Sequence, residues 1–312
     1  MPPESYYRRS MNLDPATKRS RFSALLRLFF GLSLLAVIII WVAKQGILTE
    51  RISVGLVICS TFVSLLINFI NASVIRTIVA VYQGKITYAS SLRISSLGAL
   101  GNAAGGLPIG TGLKFAILYK QNRLRVTEIT SGLVIFSIAI SFVLLAYASA
   151  SIWAMNFPLF IKAIPGLLFI AGIFFMLLLW RVLSKKNIAI RLVKPFLKAQ
   201  HLQRLLVISF SMATAFLLNY WIISRFLFPD IPSMQIVFVA SVGILTGLGS
   251  LLQSVGGIQE ISMGIAAFVS GANLIDGAQL ALFLRITSLI SSGLLLALFY
   301  ILPDRIASPR RT

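Results

Sequence analysis

The feature that most limits what this chain can fold into is a series of apolar runs about as long as a bilayer is thick. A helix of about 20 apolar residues crosses the ~30 Å hydrocarbon core of a membrane. Hydrophobic residues make up 58% of the chain and charged residues only 12%, whereas the apolar share of soluble domains is about 45–50%. The sequence therefore predicts an all-α, polytopic integral membrane protein. The runs that predict crossings are residues 28–43, 52–70, 130–150, 159–180, 205–228 and 236–252.

Basic residues indicate on which side of the membrane each connecting segment lies. The net charge is +20, but the lysines and arginines lie in short segments between apolar runs, which is typical of membrane topology and not of a nucleic-acid-binding face. The positive-inside rule places the N-terminus (residues 1–27), the segment 181–204 and the tail (residues 303–312) in the cytoplasm. The sequence thus predicts one transmembrane domain, residues 28–302, in the cytoplasmic (inner) membrane, with both termini cytoplasmic. Segment 181–204 is predicted to be an amphipathic helix lying against anionic headgroups.

Two parts of the chain have apolar sequence that glycines interrupt. Residues 86–106 contain Arg93, Asn102 and several serines and end in glycines, which predicts a broken or re-entrant helix. Residues 256–271 and 277–302 are two further apolar pieces near the C-terminus. With the uninterrupted runs they predict about seven to eight membrane helices, including two glycine-broken or re-entrant elements.

The interrupted parts also resemble each other. Residues 98–112 read GALGNAAGGLPIGTG and residues 243–257 read GILTGLGSLLQSVGG; each contains a glycine pair, and the pairs are 151 residues apart, about half the chain. Interruptions at corresponding places in two halves predict an internal two-half arrangement with a transporter-type binding site between the halves. Close helix packing through small residues is the alternative interpretation, and both can hold.

Glu260 and Arg285 are ionisable side chains within apolar sequence. At depth in a bilayer a charge costs at least a few kcal/mol unless it is paired or faces a cavity. If a helix begins at Gly256 and Gly257, Glu260 lies in its first turn, where the helix dipole favours the ionised form. Both are candidate substrate-binding residues. The alternatives are a helix-start role for Glu260 and a structural ion pair between the two side chains.

Four polar residues complete the candidate substrate-binding set. Arg93 and Lys114 flank the first glycine cluster and are predicted to form a basic funnel for a lipid phosphate, with interfacial snorkelling as the alternative. Asn102 and Gln253 are predicted to supply polar contacts in the two halves. The alternative for each is a hydrogen bond to a neighbouring helix.

Signatures of enzymes and of bound metals are missing from the sequence. Cys59 is the single cysteine, and His201, the single histidine, lies in the basic segment. These counts argue against a thiol or histidine metal site and against a catalytic dyad, and there is no phosphate-binding loop or dinucleotide fingerprint. The sequence therefore predicts no cofactor and no metal, and favours a non-enzyme.

The glycine-rich motifs resemble those of a known family. The stretch GGIQEISMGIAAFVSGANLIDGAQLALFLR resembles the C-terminal motif of the flippase-like transmembrane domain of lysylphosphatidylglycerol synthases, and GNAAGGLPIGTGLKFAILYK resembles an earlier motif of that family. Lys114 stands where members often carry an acidic residue followed by arginine. The residues that carry the resemblance are Gly256, Gly257, Glu260, Gly271 and Arg285, and Asn102, Pro108, Gly110 and Gly112.

The resemblance implies a membrane translocase that handles a lipid or a lipid-linked glycan precursor. The expected partners are an anionic membrane lipid or lipid-linked substrate, and enzymes of envelope biosynthesis. A second hypothesis is a non-transporting membrane partner of enzymes that make envelope polysaccharide or modify lipids. A membrane-embedded transferase is a third, because polar pockets in membranes also serve lipid chemistry.

Overall fold

The computed structural model of the protein describes residues 53–105, 109–155, 162–163, 166–167, 170, 192–249 and 258–301. All regular secondary structure in these ranges is helical, as the sequence predicts. The predicted first crossing, most of the predicted run 159–180, residues 181–191 and the tail lie outside the described residues. The helices are α1 (Val54–Val81), α2 (Tyr88–Gly105), α3 (Ile109–Asn122), α4 (Val126–Ala154), α5 (Ala199–Leu227), α6 (Ser233–Gly249), α7 (Ile258–Val269) and α8 (Leu274–Ile301), with a 3-10 turn at Lys194–Leu197.

Four of these helices are long and apolar enough to cross a membrane. They are α1, α4, α5 and α8, with 28, 29, 29 and 28 residues. Large apolar side chains point outward from them, among them Phe62, Phe210 and Leu298, as expected of surfaces that lipid covers. The protein is therefore an all-α membrane protein. The described residues contain four such helices, and the crossings predicted beyond that number lie partly outside them.

The other four helices form two antiparallel hairpins. In the first hairpin, α2 and α3, the Asn122 side chain donates a hydrogen bond to the Lys85 carbonyl at 3.0 Å at the open end. In the second hairpin, α6 and α7, Gln235 near the start of α6 donates to the carbonyl of Ser270, just after α7. Residues 106–108 connect α2 to α3, and residues 250–257 connect α6 to α7.

The order of one long helix, a hairpin and a second long helix occurs twice. α1 and α5 begin at Val54 and Ala199, and α2 and α6 begin at Tyr88 and Ser233, an offset of 145 residues in both cases. The offset is 149 residues between α3 and α7 and 148 between α4 and α8. Helices α1 and α5 pack side by side in opposite directions, because Ser60 and Ser64 of α1 both contact Asn219 of α5. The second half is thus inverted relative to the first.

We call the end of the molecule where α1 and α3 finish and α4 and α5 begin the basic end. It is assembled by contacts across the chain: Tyr82, just after α1, hydrogen-bonds Ser131 of α4 at 2.6 Å and donates to the carbonyl of Leu192 at 2.9 Å. The opposite end, where α5 and α7 finish and α6 and α8 begin, is the distal end. Seven exposed basic residues lie at the basic end: Lys85, Lys120, Arg123, Arg125, Lys194, Lys198 and Arg204.

Residues 192–198, the docked segment, are held against the basic end. Phe196 is 1% exposed and meets the Tyr82 ring edge-on, with 5.8 Å between the ring centroids. Burial raises the pKa of the Tyr82 hydroxyl, so this group stays a neutral donor to Leu192. Residues 199–204, predicted to belong to an amphipathic helix on the membrane surface, are instead the first turns of α5, because no helix-breaking residue separates them from the apolar run.

Candidate functional site

The two helices of the first hairpin approach each other most closely at Gly98 and Gly110. A Cβ atom at Gly110 would collide with the Gly98 carbonyl oxygen and would lie 2.6 Å from the backbone nitrogen of Asn102. Only glycine fits a crossing of this kind. The alternative of close helix packing therefore accounts for part of the glycine pattern in the first half.

Asn102 supports the inner end of this hairpin. Its Oδ1 accepts a hydrogen bond from the backbone N–H of Thr111 at 3.0 Å. Thr111 is the third residue of α3, where backbone donors have no partner within the helix. Asn102 thus bonds a neighbouring helix, which is the structural role that the sequence leaves open, and it fixes the position of α3 against α2.

Lys114 lies across Gly98. A Cβ atom at Gly98 would lie 2.8 Å from both Cγ and Cδ of Lys114, closer than side chains tolerate. The lysine stem therefore fills the groove that Gly98 leaves in α2. The side chain is partly buried, and within the described residues its ammonium group has no hydrogen bond or ion pair.

The second hairpin has the same contact with a different side chain. Gly243 of α6 lies 145 residues after Gly98, and Met263 of α7 lies 149 residues after Lys114, which are the offsets between the corresponding helices. A Cβ atom at Gly243 would collide with Cγ of Met263 and lie 2.6 Å from its sulfur. Met263 is 0% exposed. An apolar side chain thus occupies the position that Lys114 occupies in the first hairpin.

The structure places Glu260 and Arg285 on neighbouring helices. Glu260 is the third residue of α7, in the first turn as the sequence predicts, and its side chain is not described. α7 packs against the start of α8, where a Cβ atom at Gly264 would lie 2.8 Å from the Leu274 carbonyl oxygen. Arg285 is partly buried near the middle of α8.

The remaining predicted site residues lie elsewhere. Arg93 is exposed, in the second turn of α2 and near the basic end, whereas Lys114 lies at the level of Gly98, deeper in the hairpin. Gln253, Gly256 and Gly257 lie outside the described residues. The structure therefore brings Asn102 and Lys114 into one hairpin and leaves Arg93 at its edge.

A polar seam that the sequence analysis missed joins α1, α5 and α8. Ser60 Oγ donates to Asn219 Oδ1 at 2.7 Å, Asn219 Nδ2 donates to Ser64 Oγ at 3.0 Å, and Asn68 Nδ2 donates to Ser291 Oγ at 3.2 Å. The spacing of four residues from Ser60 to Asn68 was the available signal, because it places the polar groups on one helix face. The seam consists of seven buried side chains: Ser60, Ser64, Asn68, Asn219, Thr287, Ser291 and Ser292.

Comparisons of the chain with protein-family models, with curated proteins and with solved structures find no match.

Proposed function

We propose that this protein is a translocase of the cytoplasmic membrane that moves a lipid or a lipid-linked glycan precursor between leaflets. The observation that carries the proposal is the pair of hairpins at corresponding places in two inverted halves. In secondary transporters, discontinuous helices at such places form the substrate site near the middle of the bilayer.

Helix lengths support a re-entrant assignment for the hairpins. At a rise of about 1.5 Å per residue, α3 with 14 residues and α7 with 12 residues are about 21 and 18 Å long. These lengths are too short to cross a ~30 Å hydrocarbon core. The first hairpin opens toward the basic end and the second toward the distal end, so each enters and leaves the membrane on its own side. Non-helical connections at that depth are tolerated where they line a cavity or are buried in protein.

The register between helices places the candidate polar groups at one depth. α2 and α8 run in opposite directions and pack together around Leu92 and Leu295. Ten residues further along α2 therefore lie beside ten residues earlier on α8, which brings Asn102 to the level of Arg285. Arg285 is the twelfth of 28 residues in α8, close to the middle of the bilayer.

Glu260 lies near the same level. The contacts of Gly264 with Leu274 and of Gly277 with Met263 set α7 antiparallel to α8 and place Glu260 beside Leu280. That is about 7.5 Å along the axis from Arg285, within reach of two long side chains. The polar groups of the first hairpin and of α7 and α8 thus offer a lipid headgroup a route through the hydrocarbon region. Gln253, Gly256 and Gly257 belong to the chain segment that joins α6 to α7, and we include them in the proposed site.

The sidedness of the proposal follows from charge. The exposed basic residues of the basic end assign it to the cytoplasm by the positive-inside rule. The first hairpin then enters from the cytoplasm and the second from outside, and both chain termini are cytoplasmic.

The test is headgroup movement in proteoliposomes that contain a panel of fluorescently labelled lipids. Wild-type protein is expected to move at least one labelled lipid between leaflets faster than protein-free vesicles of the same composition. A matched inactive control is Gly110→Val, which separates α2 from α3 at their closest approach. Equal rates with and without protein for every lipid in the panel would overturn the proposal.

The second candidate function is a non-transporting partner of enzymes that make envelope polysaccharide or modify lipids. The docked segment favours it, because a folded, positively charged face at one end of the molecule is a surface for an acidic partner. A partner of this kind would need no movement of either hairpin.

A further inference from the structure

We propose that Lys114 binds the phosphate group of the transported molecule as it passes the first hairpin. This inference rests on the proposed translocase function for the route, but the binding of phosphate at Lys114 is measurable without transport. The chemistry is that of a phosphate group next to a lysine ammonium, whether the phosphate belongs to a lipid or is free.

The second hairpin provides an internal control for the packing role of Lys114. Met263 occupies the equivalent position, fills the groove at Gly243 and is fully buried. The hairpin contact therefore requires a long unbranched stem and not a charge. In the first hairpin the same stem ends in an ammonium group, and packing does not explain why.

A cation in this place calls for an anion. The described carboxylates other than that of Glu260 lie at helix ends: Glu128 accepts a hydrogen bond from the backbone of Arg125 at the basic end, Asp230 follows α5, and Asp276 lies in the first turn of α8. None of them contacts Lys114. Asn102 Oδ1, the nearby acceptor, already receives the Thr111 N–H.

Phosphate is the anion that fits best. It is the anionic group that phospholipids and lipid-linked glycans share, and lysine binds it as a point charge without demanding a planar geometry. The partial exposure of Lys114 leaves its ammonium group accessible to a headgroup. Arg285 at the same level adds a second positive charge next to the route.

The experiment compares wild-type protein with Lys114→Met in detergent. Binding is measured by native mass spectrometry and by thermal stabilisation with three probes: phosphatidylglycerol, a glycosyl diacylglycerol with the same acyl chains and no phosphate, and inorganic phosphate. The matched control is Lys120→Met, which removes an exposed lysine from the same helix.

We expect Lys114→Met to fold like wild type and to bind phosphatidylglycerol at least about tenfold more weakly, a change of about 1.4 kcal/mol. Binding of the glycosyl diacylglycerol should be unchanged, and Lys120→Met should behave as wild type. Stabilisation by inorganic phosphate that Lys114→Met abolishes would show that free phosphate suffices; stabilisation by phosphatidylglycerol alone would show that the site needs the lipid.

Equal phosphatidylglycerol binding by wild type and Lys114→Met would overturn the inference, and would point to an ion pair of Lys114 with Glu260. If Lys114→Met does not fold, the equivalence with Met263 is wrong, and Lys114→Gln carries the same binding comparison. The two proposals fail differently. A wild-type protein that binds phosphatidylglycerol through Lys114 but moves no lipid contradicts only the translocase proposal, whereas one that moves lipid equally well with methionine at position 114 contradicts only this one.

Discussion

The two hairpins share a plan but are held in the molecule in different ways. In the second half, α7 lies directly against α8, because a Cβ atom at Gly277 would collide with the Met263 carbonyl oxygen and lie 2.8 Å from the Ala267 side chain. The offsets between corresponding helices place Phe115 and Ile129 at the positions of Gly264 and Gly277.

In the first half these two larger side chains pack in an apolar cluster with Leu118 and Leu124. The backbones of α3 and α4 are therefore kept further apart than those of α7 and α8. The comparison teaches that positions common to both hairpins explain the fold. Positions that differ, above all Lys114 against Met263, are where the two halves acquired separate roles.

The largest effect is expected at Glu260 and Arg285, where the hypothesis is a charge pair between α7 and α8. If the two are paired in a low-dielectric site, Glu260→Gln or Arg285→Gln alone should cost about 3–5 kcal/mol of unfolding free energy. The double substitution should then cost less than the sum of the two. Denaturant unfolding in detergent measures all three variants. Additive losses would show that the charges act separately, and small losses with transport abolished would make them substrate contacts.

The close contact between α7 and α8 can be broken at one glycine. Gly277→Leu should destabilise the protein by about 1–3 kcal/mol or more, because the backbone of α7 cannot yield to a new side chain without moving. Gly293→Leu in the same helix is the matched control, since nothing lies within 4 Å of a Cβ atom there. Thermal unfolding followed by size-exclusion chromatography compares them. Equal stability of the two variants would contradict the glycine contact that distinguishes the second half.

The charges of the docked segment are expected to bind the anionic membrane surface. Each basic residue near such a surface contributes about 1 kcal/mol, and salt weakens the effect. Lys194→Gln together with Lys198→Gln should therefore lower the binding of anionic lipid to the full-length protein in detergent, and the loss should shrink as salt is raised. The control is Lys162→Gln, an exposed lysine next to Trp153 beyond the end of α4. Undiminished lipid binding by the double variant would show that these charges serve topology alone.

The smallest effect is expected in the polar seam that joins the two halves. Interhelical hydrogen bonds in membranes contribute about 0.6 kcal/mol each on average, so Asn219→Leu, which removes the bonds to Ser60 and Ser64, should cost roughly 1–2 kcal/mol. Ser73→Ala, which removes a local bond to Phe69 at the surface of α1, is the control. A loss no greater than that of the control would remove the seam from the account of how α1 and α5 are held together.

The sequence predicted the helices well because hydrophobicity determines them directly. It also predicted that residues 98–112 and 243–257 correspond, and the structure places both at the inner ends of hairpins. The start of α8 was placed too late. Asp276, expected in a turn, lies in the first turn of the helix, where a carboxylate is favoured by the helix dipole.

Contacts between distant segments were beyond sequence reasoning. The pairing of Asn68 with Ser291 joins residues 223 positions apart, and nothing local to either residue indicates the other. The contrast between Lys114 and Met263 likewise appears only once the two halves are aligned by their helices, because their surrounding sequences differ.

The central claim is that the two hairpins enter the membrane from opposite sides. It is tested by labelling single cysteines in intact cells with a membrane-impermeant thiol reagent, in a Cys59→Ser background. The positions are Lys120→Cys at the open end of the first hairpin, Lys194→Cys in the docked segment and Asn273→Cys at the open end of the second hairpin, all exposed in the structure. The account predicts labelling at position 273 from outside, and labelling at positions 120 and 194 only after the cells are permeabilised. Labelling of positions 120 and 273 from the same side would contradict it.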